Sequence, residues 1–262
     1  MQNTNEIKRL MMLLLQAGEI MLKSGAETYR VEDTMKRMAN SRDIKRFDSF
    51  VTPTGIFVSA EYHGELYSYI RRIKSISIDL QKVSDVNSFS RAFVDSDMRL
   101  YDGFKRLHQI DKGKDFKDIH KYFASGLTSA GFTVIYGGSY LDAIPAFIAG
   151  FLLFFILGFF KEKQITKLVN TILGGMIVTC VAMFFVHFNK GFHLAPIISG
   201  TIMPLAPGVA ITNAIRDFIY GDYLAGVSRA VEAIIVAIGI AFGVGIALNL
   251  FNSILGGMLW LF

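Results

Sequence analysis

The sequence predicts an α-helical membrane protein with about five transmembrane helices, preceded by a cytoplasmic α+β domain. Three observations carry that prediction. Charge is concentrated in the first half, where 21 of the 27 lysines and arginines and 17 of the 22 acidic residues precede Tyr122. The remainder is a series of apolar runs, each long enough for the roughly 30 Å hydrocarbon core, which takes about 17 to 25 helical residues. Between residues 50 and 72, aromatic and β-branched residues flank a glycine-bearing turn, the mark of β structure. The expected division is a cytoplasmic domain over 1–121 and a transmembrane domain over 122–262.

The net charge of +5 and pI near 9.2 do not point to nucleic acid, because the basic residues are interleaved with acids and no aromatic-basic motif accompanies them. The lone Cys180 provides no internal disulfide and reads as a small packing residue. The N-terminal apolar run is broken by Gln16 and Glu19, unlike a cleavable signal peptide, so the first half is expected to stay cytoplasmic.

From residue 6 to 23, Ile7, Leu10, Met11, Leu14, Ile20 and Met21 recur at helical spacing and predict a helix with one buried face. Ser24 and Glu27 then have the spacing of a capping box, starting a second helix over 28–39. Strands are expected at 50–59 and 66–72 around a turn at 61–65, with a third at 75–80, where Ile76, Ile78 and Leu80 alternate with polar residues. Helices follow at 86–98 and 101–108.

The charged stretch 111–121 is expected to connect to the first span, its lysines facing an anionic inner leaflet. His108, Asp111, Asp115, Asp118 and His120 match no metal-ligand spacing, and Lys112-Gly113-Lys114-Asp115 lacks the form of a phosphate-binding loop. No metal or other cofactor is expected.

Spans are expected at 122–138, 142–160, 168–188, 194–213 and 224–250. Lys161, Lys163, Lys167, Arg216 and Arg229 lie on one side and Lys190 on the other, so the positive-inside rule places the first half in the cytoplasm and the C-terminus outside. The tail 252–262 is too short to cross again, and Trp260 suits an interface. Asp142, just before Pro145, reads as a helix cap, and His187 and His193 as structural residues of the outer loop.

The fourth span, within 199–217, carries the features of a site. Pro204 and Pro207 each remove a backbone donor and Gly208 follows at once, which predicts a helix broken inside the membrane. A restarted half-helix turns its partly positive N-terminus toward a cavity, an arrangement that can hold a small anion. Thr201, Pro204, Pro207, Gly208, Thr212 and Asn213 are the candidate substrate contacts. Arg216 and Asp217 are an inner gate, a loop anchor or a solvated boundary pair. Glu232, about two turns into the last span, either pairs with Arg229 three residues back or faces the cavity and exchanges a proton during transport. Small-residue stripes at Ser125, Thr128 and Ser129, at Thr171, Gly175 and Thr179, and at Ser228, Gly239 and Gly243 provide close helix packing or a hydroxyl-lined path.

Four blocks in order, GEIMLKSGAETYRVEDTM (18–35), PTGIFVS (53–59), YFASGLTSAGFTVIYGG (122–138) and MPLAPGVAITNAIRDFIYGDYLAG (203–226), resemble the threonine/serine exporter family. The last block is the most specific. The resemblance implies a cytoplasmic N-terminal domain and about five spans, the larger of two units. Its expected partner is a small multi-span membrane subunit of the same family. It implies a plasma-membrane exporter of a small carboxylate-bearing metabolite, threonine or serine foremost, and a cavity-facing Glu232 would make this secondary transport driven by the proton gradient. A dicarboxylate is the alternative cargo, since split-system relatives include a pair associated with succinate export. Membrane lipid and a second copy of the chain are further expected partners. A membrane-anchored cytoplasmic sensor is the rival reading from another class. The family's N-terminal domain has been likened to hydrolases, but Ser24, Asp33 and His63 lie in no nucleophile-elbow motif or triad spacing, so no enzyme activity is expected.

Overall fold

The computed structural model describes residues 2–44, 46–113, 117–160 and 166–254. Asp115, Lys161, Lys163, Trp260 and the tail beyond residue 254 lie outside the described residues. The chain forms two compact units, Met1–Lys114 with Val209–Ala230, and Asp115–Gly208 with Val231–Phe262.

In the first unit, α1 (Gln2–Lys23) and α2 (Thr28–Asn40) precede an antiparallel meander of β1 (Arg46–Thr52), β2 (Gly55–Tyr62) and β3 (Glu65–Arg72), then α3 (Leu80–Val94) and α4 (Leu100–Lys112). The apolar stripe anticipated on α1 is buried, and with Val31, Met35, Ile56, Phe93 and Leu107 it forms one continuous core. Burial of such side chains stabilises the fold by about 1.5–3 kcal/mol each, before chain entropy is counted.

The sheet differs from the sequence expectation in two ways. The stretch read as one strand over 50–59 is divided at Pro53-Thr54, so that Thr52 pairs with Gly55 and a strand beginning at Arg46 becomes the third member. Residues 75–79 are not a strand: Ser77 and Asp79 donate their N–H groups to the carbonyls of Lys23 (2.8 Å) and Ser24 (3.1 Å) at the end of α1. Asp79 then caps α3 by accepting from the Lys82 N–H at 3.1 Å. The β2–β3 turn is His63-Gly64, both at positive φ (50° and 78°), the two-residue loop that matches strand twist.

The capping box at Ser24 is likewise not formed. Ser24 donates its N–H back to Ile20 at 3.1 Å, Gly25 takes the left-handed conformation (φ 88°), and the N-cap of α2 is Glu27, whose side chain makes no capping bond. A carboxylate freed from capping can serve elsewhere.

The second unit holds α5 (Asp118–Ile135), α6 (Ala143–Phe160), α7 (Lys167–Phe188), α8 (Leu194–Ile202) and a 3-10 turn at Met203–Leu205. In sequence, α9 (Gly208–Ile219) begins at the boundary between the units and α10 (Tyr223–Ile254) runs through it. Among the described residues two helices, α7 and α10, are long and apolar enough to span a membrane, or three spans result if α8 and α9 count as one broken span. The apolar part of α6 (Ala143–Phe159) is shorter, and α5 spends its first turn on Asp118, His120 and Lys121.

Contacts in this unit favour the packing reading of the small-residue stripes. A Cβ on Gly239 would lie 2.2 Å from Thr171 Oγ1, and one on Gly243 2.1 Å from the Ile172 carbonyl oxygen. Hydroxyls on the stripes donate to backbone carbonyls, Ser125 to Gly150 at 2.9 Å and Thr179 to Gly175 at 2.8 Å. Such contacts let helix backbones approach closely without a polar cavity. Asp142 does more than begin a helix: it accepts from Ser139 N–H at 2.7 Å and from His193 N–H at 2.8 Å, with His193 Nδ1 at 2.9 Å, tying the start of α6 to that of α8.

Candidate functional site

The fourth apolar segment is broken where the prolines stand. α8 ends at Ile202, a single 3-10 turn carries Pro204, residues 206 and 207 are non-helical, and α9 restarts at Gly208. Proline cannot donate to the preceding turn and disfavours helix in the residue before it, which accounts for the interruption. Thr201 on α8 is fully buried and donates to the Ile197 carbonyl at 2.7 Å, while Pro204 and Pro207 are half-buried and Gly208 is exposed. These four belong to the second unit. Thr212, exposed on α9, belongs to the first.

The remaining polar residues of α9 and the start of α10 gather on the loop between α1 and α2. Asn213 Nδ2 donates to the Gly25 carbonyl and Arg229 Nη2 to the Ala26 carbonyl, each at 3.0 Å. Thr28 Oγ1 lies 2.8 Å from Asp217 Oδ1 and 3.0 Å from Asp222 Oδ2, so its single proton serves one carboxylate at a time. Arg229 Nε stands 3.0 Å from Asp217 Oδ2 as an ion pair, off the line of a hydrogen bond. Glu27 receives Arg216 on one oxygen and Arg30 Nε (3.2 Å) on the other. Tyr29 stacks on Tyr220 with ring centroids 4.0 Å apart.

The local sequence explains this convergence. Gly25 in the left-handed conformation turns the loop so that the carbonyls of Gly25 and Ala26 accept from α9 and α10 rather than from the chain itself. Gly221, at φ 86°, ends α9, and Asp222 stands just before α10 with its carboxylate toward Thr28. Beside the cluster, Glu32 accepts the Val51 N–H at 2.8 Å. Burial pushes its carboxyl above the ordinary value, Val51 opposes this in part, and the Asp222 charge adds to it.

Of the predicted site residues, the structure brings together Asn213, Arg216, Asp217 and Arg229. Thr201, Pro204, Pro207, Gly208 and Glu232 belong to the second unit. Glu232 neither pairs with Arg229 nor stands alone: its partner is Lys167 at the start of α7, because Arg229 is engaged by Asp217 and Ala26. The residues sequence reasoning missed as site members are Gly25, Ala26, Glu27, Thr28, Tyr29, Tyr220 and Asp222. The available signal was complementarity between two stretches, since GAETYR carries an acid and a hydroxyl where NAIRDFIYGD carries a cation and two acids.

Two apolar helices of spanning length, a bent pair interrupted at Pro204 and Pro207, and a polar network that holds α9 fit a membrane transport protein. A family model described as "Putative threonine/serine exporter" matches residues 12–251, and the chain belongs to that family, one of transporters and not of enzymes. The "Probable succinate transporter subunit YjjP" of Klebsiella aerogenes is 20% identical over 265 residues, covering 95% of this chain and 96% of the relative. Its namesake in Escherichia coli (strain K12) is 21% identical over 252 residues, with 95% and 97% covered. The "Threonine/serine exporter" of Corynebacterium glutamicum is 28% identical over 121 residues, 45% of this chain and 25% of the relative. No solved structure matches the chain.

Proposed function

We propose that this chain is the larger subunit of a two-component secondary exporter that carries a small carboxylate-bearing metabolite out of the cell. The break at Met203–Gly208 is the observation that carries this reading, since an interrupted apolar helix frees backbone groups that an anionic cargo can use. Thr201 and Thr212 are the proposed polar contacts beside Pro204, Pro207 and Gly208, and Asn213 becomes one when its bond to the Gly25 carbonyl is released. The chain then has five spans over 122–262, with 1–121 and the Lys167 end of α7 in the cytoplasm, in line with the distribution of lysine and arginine.

The grip of the 25–28 loop on Asn213, Arg216, Asp217 and Arg229 acts in this reading as the inner gate. The break's second half can move only if these bonds are released, so the cytoplasmic domain controls access. Glu232, paired with Lys167, is the proposed carrier of the proton that couples export to the gradient. Two near-full-length relatives bear a succinate transporter name and a partial one a threonine/serine exporter name, so both cargo types are tested together. The word subunit in the first two supports a small membrane partner.

The test is efflux of labelled succinate, threonine and serine from vesicles holding this chain, alone and with a small family subunit, with and without a proton gradient. Gradient-dependent efflux of one cargo requiring both subunits, and its loss in Glu232→Gln at normal protein levels, is the expected result. No efflux of any of the three by an inserted pair would move the reading to a membrane-anchored sensor.

A further inference from the structure

We propose that the first unit carries a second ligand site, for a small α-amino acid, in a cleft along the open stripe of α1. Met12, Gln16, Glu19, Ile20 and Lys23 fall on one helical face and, with Arg71 of β3 and Phe104 and Asp111 of α4, line a cavity of about 290 Å³. That volume is close to the lower end of small-molecule sites, roughly 300 Å³. The cavity lies within Met1–Lys114 and shares no residue with the 25–28 loop or the helix break. It therefore does not depend on the export reading.

Its chemistry is asymmetric. Met12, Ile20 and Phe104 supply an apolar lining. Glu19, whose side chain is only 20% exposed, forms ion pairs with Lys23 Nζ at 2.5 Å and Arg71 Nε at 3.2 Å. The contact is made through Nε, so the two terminal nitrogens of Arg71 are the ones that can present a fork to a ligand carboxylate. Lys23 and Arg71 against Glu19 and Asp111 leave the lining formally neutral, with the cations at one place and Asp111 at another, which matches a ligand that carries one carboxylate and one ammonium. Asp111 repels a second carboxylate and attracts an ammonium. A zwitterion with a small side chain that offers a methyl group to the apolar lining, as L-threonine does, satisfies all three features.

The experiment uses the full-length chain in detergent, labelled with 13C at methionine methyls, and follows the Met12 resonance as L-threonine or succinate is added. Assignment comes from Met12→Leu. The expected result is a saturable shift with L-threonine and none with succinate. Arg71→Gln should weaken the threonine midpoint roughly tenfold or more, with Arg71→Lys intermediate because it keeps the charge and loses the fork. Asp111→Asn should weaken threonine as well. A Met12 resonance that does not move with L-threonine, one that moves as far with succinate, or a threonine midpoint unchanged in Arg71→Gln would each overturn the proposal. Because Met12 reports only this cleft, its silence leaves the efflux result standing on its own.

Discussion

Arg229 and Asp217 face each other with 3.0 Å between Nε and Oδ2, and both side chains are almost wholly buried, at 4% and 0% exposure. Arg229 also holds the Ala26 carbonyl and Asp217 the Thr28 hydroxyl, so the pair is the centre of the contact between the α1–α2 loop and the α9–α10 turn. Charges this deeply buried are expensive unless partnered, which makes them specific rather than strongly stabilising.

Removing one partner should therefore cost more than removing both. Arg229→Met or Asp217→Leu alone is expected to destabilise the first unit by about 3–5 kcal/mol, whereas the double substitution should recover a large part of the loss. Thermal unfolding of the detergent-solubilised protein checks this. Strictly additive losses would contradict a coupled pair.

Glu32 gives the first unit a pH dependence with a defined sign. Its folded carboxyl titrates above the ordinary 4.5 through burial, against the Val51 hydrogen bond and with the Asp222 charge. The folded state thus keeps the proton to higher pH than the unfolded chain. The stability it contributes is complete below the unfolded value and is lost as pH rises through the folded one. Glu32→Gln keeps an acceptor for Val51 and cannot ionise, so its stability should fall less than wild type as pH rises from about 4 to about 7. Parallel pH profiles of the two proteins would refute the assignment.

Glycine substitutions separate packing from transport. Gly200→Ala places a methyl 2.2 Å from Thr133 Oγ1 and 2.4 Å from the Thr133 backbone nitrogen, and is expected to cost about 1–3 kcal/mol or more and lower the yield of folded protein. A Cβ on Gly208 meets no atom within 4 Å, so Gly208→Ala should preserve yield and melting while slowing efflux if the backbone at the break approaches the cargo. Equal yields for the two variants would contradict the packing account.

The fold was legible where a pattern is local. The apolar spacing of α1 marked its buried face, and Pro204 and Pro207 marked the break because they remove donors whatever surrounds them. Residues 75–80 have the alternation of a strand at Ile76 and Ile78, but the partners of that backbone are carbonyls at the end of α1, more than 50 residues earlier. Ser24 and Glu27 have capping-box spacing, yet Glu27 is taken by Arg216, 189 residues away. For the same reason Arg229 was offered Glu232, its helical neighbour, when its partners are Ala26 and Asp217. Local rules rank nearby partners, and buried ion pairs are settled by tertiary packing.

The gate is tested most directly by tying it shut. In a Cys180→Ser background, Glu27→Cys and Arg216→Cys replace the ion pair between the α1–α2 loop and α9, and a short reducible bis-thiol reagent bridges them. With the partner subunit present, the account predicts that efflux stops when the bridge forms and returns on reduction. Undiminished efflux with the bridge in place would contradict it.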